Sequence, residues 1–305
     1  MGRFDDRLTH PLPTGRDMWR ILREGGFRPK DAKAAGPAIP RGEGTVPECS
    51  PEDLALTWVG HATYLVQVGG LRVLTDPVWR PRLPGFIPRL SAPGIPLEAA
   101  QPDVAVVSHD HYDHLDAWTF SRLPKDIVVL CPLGLASWFR RRGFRDVREL
   151  DWWGTEDVGG TAFTFVPAHH WGRRMPWDTN DKLWGGWVME ADGWRAYHSG
   201  DTAYGTRFQE IARRKGPVDV AMLPIGAYEP QWFMRNVHMG PEEAVQAWDD
   251  LQARVLATMH WGTYPLTREP VLEPPARVRK AWEGRRRKEG ELWDLAVGES
   301  RVLTA

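Results

Sequence analysis

Short apolar runs separated by turn signals fill most of the chain from residue 54 onward, and they predict strands. The runs at 63–68 and 71–75 flank Gly69-Gly70, a pair typical of a hairpin turn. Strands are predicted at 54–59, 63–68, 71–75, 102–108, 126–131, 146–150, 162–166, 186–190, 194–199, 219–224, 254–259 and 292–303. Helices are predicted at 16–23, 133–142, 241–253 and 275–288. This mixture of strands and helices indicates an α/β domain.

Two stretches lie outside that pattern. Residues 1–48 are rich in Pro, Gly and charge, and we expect an N-terminal extension that packs on a domain formed by residues 49–305. Residues 77–96 contain six prolines and predict a long loop, which would border a substrate site. At 305 residues, the chain can bury one large core.

Composition narrows the class of protein. Hydrophobic residues make up 42% and charged residues 26%, as in ordinary globular proteins, and no apolar run is long enough for a membrane span. The N-terminus has no apolar stretch typical of a secretory signal, and Cys49 and Cys131 have no metal-type spacing, so we expect a cytoplasmic protein with reduced thiols. The net charge of -1 argues against a nucleic-acid enzyme.

The candidate chemistry is concentrated at residues 109–114, which read His-Asp-His-Tyr-Asp-His. They follow an apolar run, so they lie at the carboxyl end of a predicted buried strand, where α/β folds place ligands. His109 and His111 can bind one metal ion, while Asp113 and His114 bind a second. The alternative is a polar surface loop. Imidazole and carboxylate suit zinc and related divalent ions.

Two further ligands follow predicted strands. Asp201 occurs in Ser199-Gly200-Asp201-Thr202, where the glycine permits close approach and the carboxylate can bridge two cations. His260 directly ends the strand at 254–259. The alternatives are a structural turn aspartate and a satisfied core histidine. Of His169 and His170, only one can serve, because adjacent residues of an extended chain point to opposite sides.

The motifs of the chain resemble a known family. His-x-His-x-Asp-His after an apolar strand resembles the signature of the metallo-β-lactamase superfamily. Other motifs resemble the N-acyl-phosphatidylethanolamine-hydrolysing phospholipase D family and its bacterial relatives. They include Trp58-Val59-Gly60-His61-Ala62-Thr63, Leu74-Thr75-Asp76-Pro77, Pro167-Ala168-His169-His170-Trp171, Leu183-Trp184-Gly185-Gly186, Pro224-Ile225-Gly226-Ala227-Tyr228-Glu229-Pro230 and His260-Trp261-Gly262-Thr263. The resemblance implies an αββα sandwich of two mixed β-sheets flanked by helices.

The resemblance also completes the ligand set, because the family's ligand immediately precedes the tryptophan and so corresponds to His170. Two divalent metal ions, most simply Zn²⁺, are expected. The first set comprises His109, His111, His170 and Asp201. The second set comprises Asp113, His114, Asp201 and His260. His61 and His198 are expected to be structural or to orient the ligands.

Two residues are candidates for catalysis. Asp110 lies between metal ligands, where it would orient them or donate a proton to a leaving group. For His238, the resemblance implies a place beside the substrate, where it would bind phosphate or protonate the departing oxygen. A plain surface histidine is the alternative. An apolar substrate groove is expected from residues 77–96, with Trp79, Phe86 and Ile87, and from Tyr228, Trp232, Phe233 and Met234.

The predicted function is metal-dependent hydrolysis of a phosphodiester, and the resemblance implies an N-acyl-phosphatidylethanolamine substrate. The alternatives are hydrolysis of a lactone or a soluble phosphodiester, or a metal-binding sensor without turnover. The expected partner is a phospholipid or another small molecule. Basic clusters at 140–142, 213–215 and 285–288 are either solvated helix ends or a weak attraction to anionic lipid, which would give a peripheral contact at the inner membrane face.

Overall fold

The computed structural model describes residues 2–285 and 290–305, and its main feature is a pair of seven-stranded sheets. With strands numbered along the chain, the first sheet contains β1 (Leu54–Gly60), β2 (Thr63–Val68), β3 (Leu71–Thr75), β6 (Val104–Val106), β7 (Val128–Pro132), β8 (Asp146–Leu150) and β16 (Ser300–Leu303). The second contains β9 (Thr155–Val158), β10 (Thr161–Val166), β11 (Gly186–Ala191), β12 (Trp194–His198), β13 (Val220–Pro224), β14 (Val255–Met259) and β15 (Glu291–Trp293). A small hairpin joins β4 (Arg82–Leu83) to β5 (Ile87–Pro88).

Both sheets are mixed. The first has the strand order β16-β1-β2-β3-β6-β7-β8, antiparallel from β16 to β3 and parallel from β3 to β8. The second has the order β15-β14-β13-β12-β11-β10-β9, parallel from β15 to β12 and antiparallel from β12 to β9. The parallel strands at the centre of each sheet place their carboxyl ends at one edge of the sandwich, which is where the candidate site lies.

Helices cover the outer faces of the sheets or lie along the edge of the sandwich. They are α1 (Gly15–Arg23), α2 (Ala32–Ala35), α3 (Leu97–Ala100), α4 (Ala117–Arg122), α5 (Ala136–Arg140), α6 (Arg207–Lys215), α7 (Gln231–Met234), α8 (Pro241–Asp250) and α9 (Glu273–Glu283). Phe120 of α4 and Phe139 of α5 pack against the first sheet. On the other side, α8 packs against β13 and β14, and its Trp248 meets Trp282 of α9 with ring centroids 4.4 Å apart. The predicted αββα sandwich is confirmed.

The central strands are buried on both faces, which explains their continuous apolar sequence. In β6, Val104 and Val106 belong to the core between the sheets, whereas Ala105 belongs to the cluster under α4 and α5. The alternation follows from the two-residue period of a strand. The polar residues that follow β6 are therefore held by a rigid, well-packed element.

The C-terminal region differs from its prediction. The single strand expected at 292–303 is two strands in different sheets, β15 beside β14 and β16 beside β1. The chain crosses between the sheets at Gly298, which has φ +90° and whose N–H donates to the Trp58 carbonyl. The helix predicted at 275–288 is α9, and the end of that range lies outside the described residues, as does most of the basic cluster 285–288. Strand β9 and helices α4 and α6 were not predicted.

Residues 2–53 precede the first strand and run along the edge of the sandwich. The Phe4 N–H donates to the Asn180 carbonyl at 2.9 Å, and Asp31 accepts from the Val271 N–H at 3.1 Å. The division at residue 48 stays a prediction. Among the helices of the described residues, none has both the length and the apolar character that a membrane span requires.

Candidate metal centre

Four loops meet at one edge of the sandwich and carry the predicted ligands. Residues 109–114 follow β6, His170 follows β10, Asp201 follows β12, and His260 follows β14 directly. Gly200 allows the approach of the β12 loop, because it has φ +59° and a Cβ there would lie 2.5 Å from the Cβ of Ser108. The expectation that this glycine permits close packing is therefore confirmed.

The first cluster comprises His109, His111, His170 and Asp201, with one ligand atom from each residue within 4.8 Å of all the others. Nδ1 of His111 lies 3.0 Å from Nε2 of His109 and 3.3 Å from Nε2 of His170. Oδ2 of Asp201 lies 3.8 Å from Nε2 of His109 and 3.8 Å from Nε2 of His170. This is the set predicted for the first metal ion.

The second cluster comprises His61, Asp113, His114 and His260. Oδ2 of Asp113 lies 3.6 Å from Nε2 of both His114 and His260. Asp201 lies between the clusters, with Oδ2 3.1 Å from His114 Nε2 and Oδ1 3.1 Å from His260 Nε2. His61 was not among the predicted ligands; its Nε2 lies 2.9 Å from Asp113 Oδ2. The seven predicted ligands are thus brought together, with His61 beside them.

The ligand atoms fit a metal ion better than they fit one another. Nε2 of His114, Nε2 of His260 and Oδ1 of Asp201 are buried without a hydrogen-bond partner in the described part of the chain, because their 3.1 Å approaches lack hydrogen-bond geometry. A buried polar atom without a partner is costly. Nitrogen and carboxylate oxygen atoms that converge in this way form the donor set of zinc and similar divalent ions.

Charge in the clusters favours a cation at the centre. Burial lowers the pKa of His111 to about 3 and that of His170 to about 4, which keeps both imidazoles neutral. Burial alone would raise the pKa of Asp201, but nearby imidazoles, first that of His114, hold it well below its usual value. Burial also opposes the charged form of His260, yet Asp201 and Asp113 raise its pKa to about 9. Ionised carboxylates therefore surround a buried space that attracts positive charge.

Hydrogen bonds at Nδ1 orient three of the ligand histidines, His109, His114 and His170. Ser108 Oγ donates to Asp76 Oδ2 at 2.6 Å, so it can accept from Nδ1 of His109 at 2.9 Å. Nδ1 of His114 donates to Asp76 Oδ2 at 2.7 Å, and Nδ1 of His170 donates to the Val237 carbonyl at 2.9 Å. Each bond leaves Nε2 of the ring free to face its cluster.

Asp76 is the functional residue that sequence reasoning left without a role. It is fully buried, and it also accepts from the Ser108 N–H at 2.7 Å and lies 3.1 Å from His198 Nε2. Its signal was an aspartate directly after the apolar strand β3, within one of the family motifs. His198 thus orients Asp76 rather than facing the clusters, as expected for a structural histidine.

His169 points away from the site. Its Nδ1 lies 2.8 Å from Oγ1 of Thr9, and its backbone N–H donates to Oγ1 of Thr202 at 3.0 Å. The adjacent His170 faces the first cluster, so the two neighbours point to opposite sides as the strand alternation predicts.

A cavity of about 340 Å³ opens beside the clusters. His111, Asp113, Asp201, His238 and His260 supply its polar floor. Its apolar wall consists of Leu12, Pro13, Met18, Phe27, Trp171, Ala227, Phe233, Met234, Val237 and Leu266, with Arg173, Thr179 and Thr267 as further polar lining. A mostly apolar cavity with a few convergent polar groups is typical of a small-molecule site.

His238 lies at the floor of this cavity, with Nε2 3.8 Å from Asp201 Oδ2. Burial lowers its pKa well below the usual value. Its ring centroid lies 5.1 Å from that of His170 and 5.4 Å from that of His260. It is 8% exposed, so the interpretation as a plain surface histidine does not fit.

Three residues that were predicted to act on or contact the substrate do not line the cavity. Asp110 is fully buried outside the cavity lining, and burial raises the pKa of its carboxyl to about 6. Its Oδ2 lies 3.9 Å from Lys182 Nζ. Tyr228 is buried with its hydroxyl donating to Glu273 Oε1 at 2.7 Å. Trp232 lies under the guanidinium of Arg20, 3.9 Å from the ring centroid. Of the predicted substrate contacts, Phe233 and Met234 do line the cavity.

The expected contribution of residues 77–96 is wrong. None of them is in the described lining of the cavity. Trp79 is buried with its ring N–H donating to the Ile95 carbonyl at 2.8 Å, and Phe86 is exposed at the tip of the β4–β5 hairpin. Part of the apolar wall comes instead from the N-terminal segment, with Leu12, Pro13, Met18 and Phe27, which the sequence alone did not connect with the site.

Comparison with known proteins decides the family. A model of the beta-lactamase superfamily domain matches residues 71–261. The chain is 37% identical over 307 residues to N-acyl-phosphatidylethanolamine-hydrolyzing phospholipase D 1 of Caenorhabditis elegans, a match that covers 90% of this chain and 86% of that protein. This chain belongs to the metallo-β-lactamase superfamily. Within it, the chain belongs to the N-acyl-phosphatidylethanolamine-hydrolysing phospholipase D-like family.

Other proteins to which this chain is similar are also named as metal-dependent hydrolases. It is 32% identical over 251 residues to a metal-dependent hydrolase of Koribacter versatilis, covering 79% of this chain and 98% of that protein. The structure of Igni18, a metallo hydrolase from Ignicoccus hospitalis, matches with a TM-score of 0.62 at 22% identity, over 83% of this chain and 99% of that one, and so shares the fold. The protein is therefore a metal-dependent hydrolase of the metallo-β-lactamase fold.

Proposed function

We propose that this hydrolase is a dinuclear zinc phosphodiesterase that cleaves N-acyl-phosphatidylethanolamine-type phospholipids on the ethanolamine side of phosphorus. The observation that carries the proposal is the pair of His/Asp clusters that meet at Asp201 and open into a cavity with an apolar wall. The relative from Caenorhabditis elegans, which is named for this reaction, supports the substrate class.

His109, His111, His170 and Asp201 would hold one ion, and Asp113, His114, Asp201 and His260 the other. When bound, a pair of divalent ions supplies a hydroxide at neutral pH and stabilises the charge that develops on a phosphoryl group. Asp76 keeps His114 in the tautomer that presents Nε2. The apolar wall excludes water from one side of the reacting group, which strengthens the electrostatic interactions within the cavity.

The proposal assigns His238 a role on the substrate itself. It shares the cavity floor with Asp201 and His260 and has no predicted place in either metal set. From this position its neutral imidazole donates an N–H to a phosphoryl oxygen or, where the negative charge of a bound phosphodiester favours the protonated ring, delivers a proton to the departing oxygen. Arg173 is an exposed cation at the rim of the same cavity, where it favours the approach of an anionic headgroup.

The proposal includes a peripheral contact with a phospholipid surface. Trp19 and Leu22 of α1 are 62% and 67% exposed, and Trp177 is 76% exposed in the loop after Arg173. Arg16, Arg20 and Arg23 lie on the same helix, so the exposed apolar groups have basic neighbours. Binding to anionic vesicles, lost in a Trp19→Ala, Trp177→Ala double variant, is expected; equal sedimentation of both proteins with vesicles would contradict this contact.

The main test compares substrates. Zinc-loaded enzyme should hydrolyse N-acyl-phosphatidylethanolamine with release of phosphatidic acid, and an inactive Asp201→Asn variant controls for contaminants. The alternative substrate is a smaller ester, such as a lactone or a soluble phosphodiester. The volume of the cavity favours this alternative, because about 340 Å³ is at the small end of the range for ligand pockets. Turnover of those substrates but not of the phospholipid would overturn the lipid assignment. Metal binding without turnover of any of them would indicate a sensor.

A further inference from the structure

The wall of the substrate cavity is built partly from residues that lie outside the matched superfamily domain. That domain spans residues 71–261, whereas Leu12, Pro13, Met18 and Phe27 line the cavity from the N-terminal side. They face the same space as the ligands Asp113 and His260. A complete cavity therefore requires residues 9–27, which we call the N-terminal wall.

The side chain of Arg268, in the loop after β14, connects the N-terminal wall to that loop. Nη2 of Arg268 donates to the Ile21 carbonyl at 2.8 Å, and Nε donates to the Gly26 carbonyl at 2.5 Å. Nη1 of Arg268 pairs with Glu24 Oε2 at 3.0 Å. Ile21 itself is fully buried. The neighbouring residues Leu266 and Thr267 line the cavity, so Arg268 joins two of its sides.

The wall also packs against α7, which carries the opposite apolar side of the cavity. Phe27 meets Phe233 edge to face with ring centroids 5.5 Å apart, and Arg20 stacks on Trp232. Aromatic pairs of this geometry contribute stability beyond their buried area. At its other end, the wall reaches the ligand loop through the contact between Thr9 and His169. It therefore spans the cavity from the ligand side to α7.

The side chains that the wall presents are apolar. Leu12, Pro13, Met18 and Phe27 face the cavity, while the charged residues of the same helix lie on the surface. The polar floor binds the ester that reacts, so the wall can contact only the hydrocarbon attached to it. A ligand whose hydrocarbon chain moves from water into contact with such a wall binds more tightly with each methylene that is buried.

We infer that the N-terminal wall selects the substrate by its hydrocarbon chain, through contact with Met18 and Phe27. This inference rests on the proposed phosphodiesterase function for the identity of the polar end of the substrate. It assigns acyl-chain selectivity to residues that contribute nothing to the metal clusters. Chemistry and selectivity are thereby carried by separate segments of the chain.

The test is calorimetric binding of alkylphosphonates, from methylphosphonate to decylphosphonate, each as a monomer, to the zinc-loaded protein. Affinity of the wild-type protein should rise with chain length, by up to about fourfold per methylene that is buried. Met18→Asp and Phe27→Ala should flatten this dependence while leaving methylphosphonate binding within a few fold. Gly15→Asp is the matched control, because it adds the same charge to the same helix at an exposed position outside the cavity, where a side chain meets no neighbour within 4 Å.

The outcomes separate the two proposals. If Met18→Asp and Phe27→Ala keep the wild-type dependence on chain length, the selectivity of the wall is wrong, whatever the reaction. If the dependence is flattened equally by Gly15→Asp, charge near the cavity and not the wall would be responsible, and the inference fails. If the wild-type protein does not bind even methylphosphonate, the proposed phosphodiesterase centre and the inference fail together.

Discussion

Oδ2 of Asp76 lies 2.7 Å from Nδ1 of His114, and both side chains are fully buried. A carboxylate behind a ligating imidazole fixes the tautomer and the ring orientation, and loss of such a partner typically costs about 10- to 100-fold in metal affinity. Asp76→Asn should therefore weaken metal binding by about that factor, measured by competition with a chelating dye. Asp192→Asn, in the exposed β11–β12 turn, is the control and should bind as the wild type does. Unchanged affinity of Asp76→Asn would show that this contact is only structural.

Asp201 contacts ligands of both clusters, so its loss should harm both. In Asp201→Asn the charge disappears, and one of the two oxygens is replaced by an amide nitrogen that cannot ligate. Elemental analysis after reconstitution should show less metal than the wild-type protein retains, and turnover should fall with it. A variant with full metal content and full activity would rule out a bridging role.

His170 and His169 offer a matched pair of adjacent imidazoles. His170→Ala should lose metal from the first cluster, together with activity, because its Nε2 faces His111. His169→Ala should retain most of its metal, because it loses only the ring contacts with Thr9 and His10 and keeps the backbone N–H that donates to Thr202 Oγ1. Metal content measured on both variants distinguishes them, and the reverse result would overturn the assignment.

His238→Ala should retain its metal and lose turnover. If His238 protonates the leaving group, the loss should be about 100- to 10,000-fold, the usual range for general acid catalysis. A substrate with a p-nitrophenolate leaving group, which needs no proton, should be much less affected. Equal loss on both substrates would indicate phosphate binding instead. The exposed His10→Ala controls for removal of an imidazole, and an active His238→Ala would disprove any role in turnover.

His169 should give the protein a pH-dependent stability. Burial, followed by the charges of Arg207 and His10, lowers its pKa from 6.5 to about 4. Between these values the unfolded chain takes up a proton that the folded protein does not, so the free energy of unfolding falls as the pH drops from about 6.5 to about 4. His169→Gln should lose less stability over this range in urea denaturation. Parallel curves for the two proteins would contradict the linkage.

Much of the ligand set follows from local sequence. An apolar strand followed directly by a polar residue predicts a side chain at a strand's carboxyl end, and this pattern identified Asp201 and His260 without any knowledge of pairing. The structure brings both to the clusters. His61 also follows an apolar strand directly, but a residue in the short turn between β1 and β2 is equally expected to be structural. It has φ +55° and reaches Asp113 through tertiary packing that the local sequence does not predict.

The substrate wall could not be predicted in the same way. Met18 and Phe27 reach the cavity through partners more than two hundred residues away, such as Arg268 and Phe233, and no periodicity in residues 1–48 reports those contacts. The proline-rich loop 77–96 was a reasonable candidate for the border of the site. Its Trp79 instead packs in the core, with its ring N–H donating to the Ile95 carbonyl. Loop composition predicts irregular structure, whereas position depends on long-range packing.

Each metal cluster draws ligands from loops of both sheets, with His109 and Asp113 on one side and Asp201 and His260 on the other. An ion held there would cross-link the two sheets, in addition to the apolar core and to hydrogen bonds such as that from Trp187 Nε1 to the Val107 carbonyl. Such a cross-link cannot form on a nascent chain that has emerged only as far as β8, since His170, Asp201 and His260 are still unsynthesised. We therefore expect metal uptake to be a late event in the maturation of this protein, and removal of the metal to loosen the contact between the two sheets rather than a single loop.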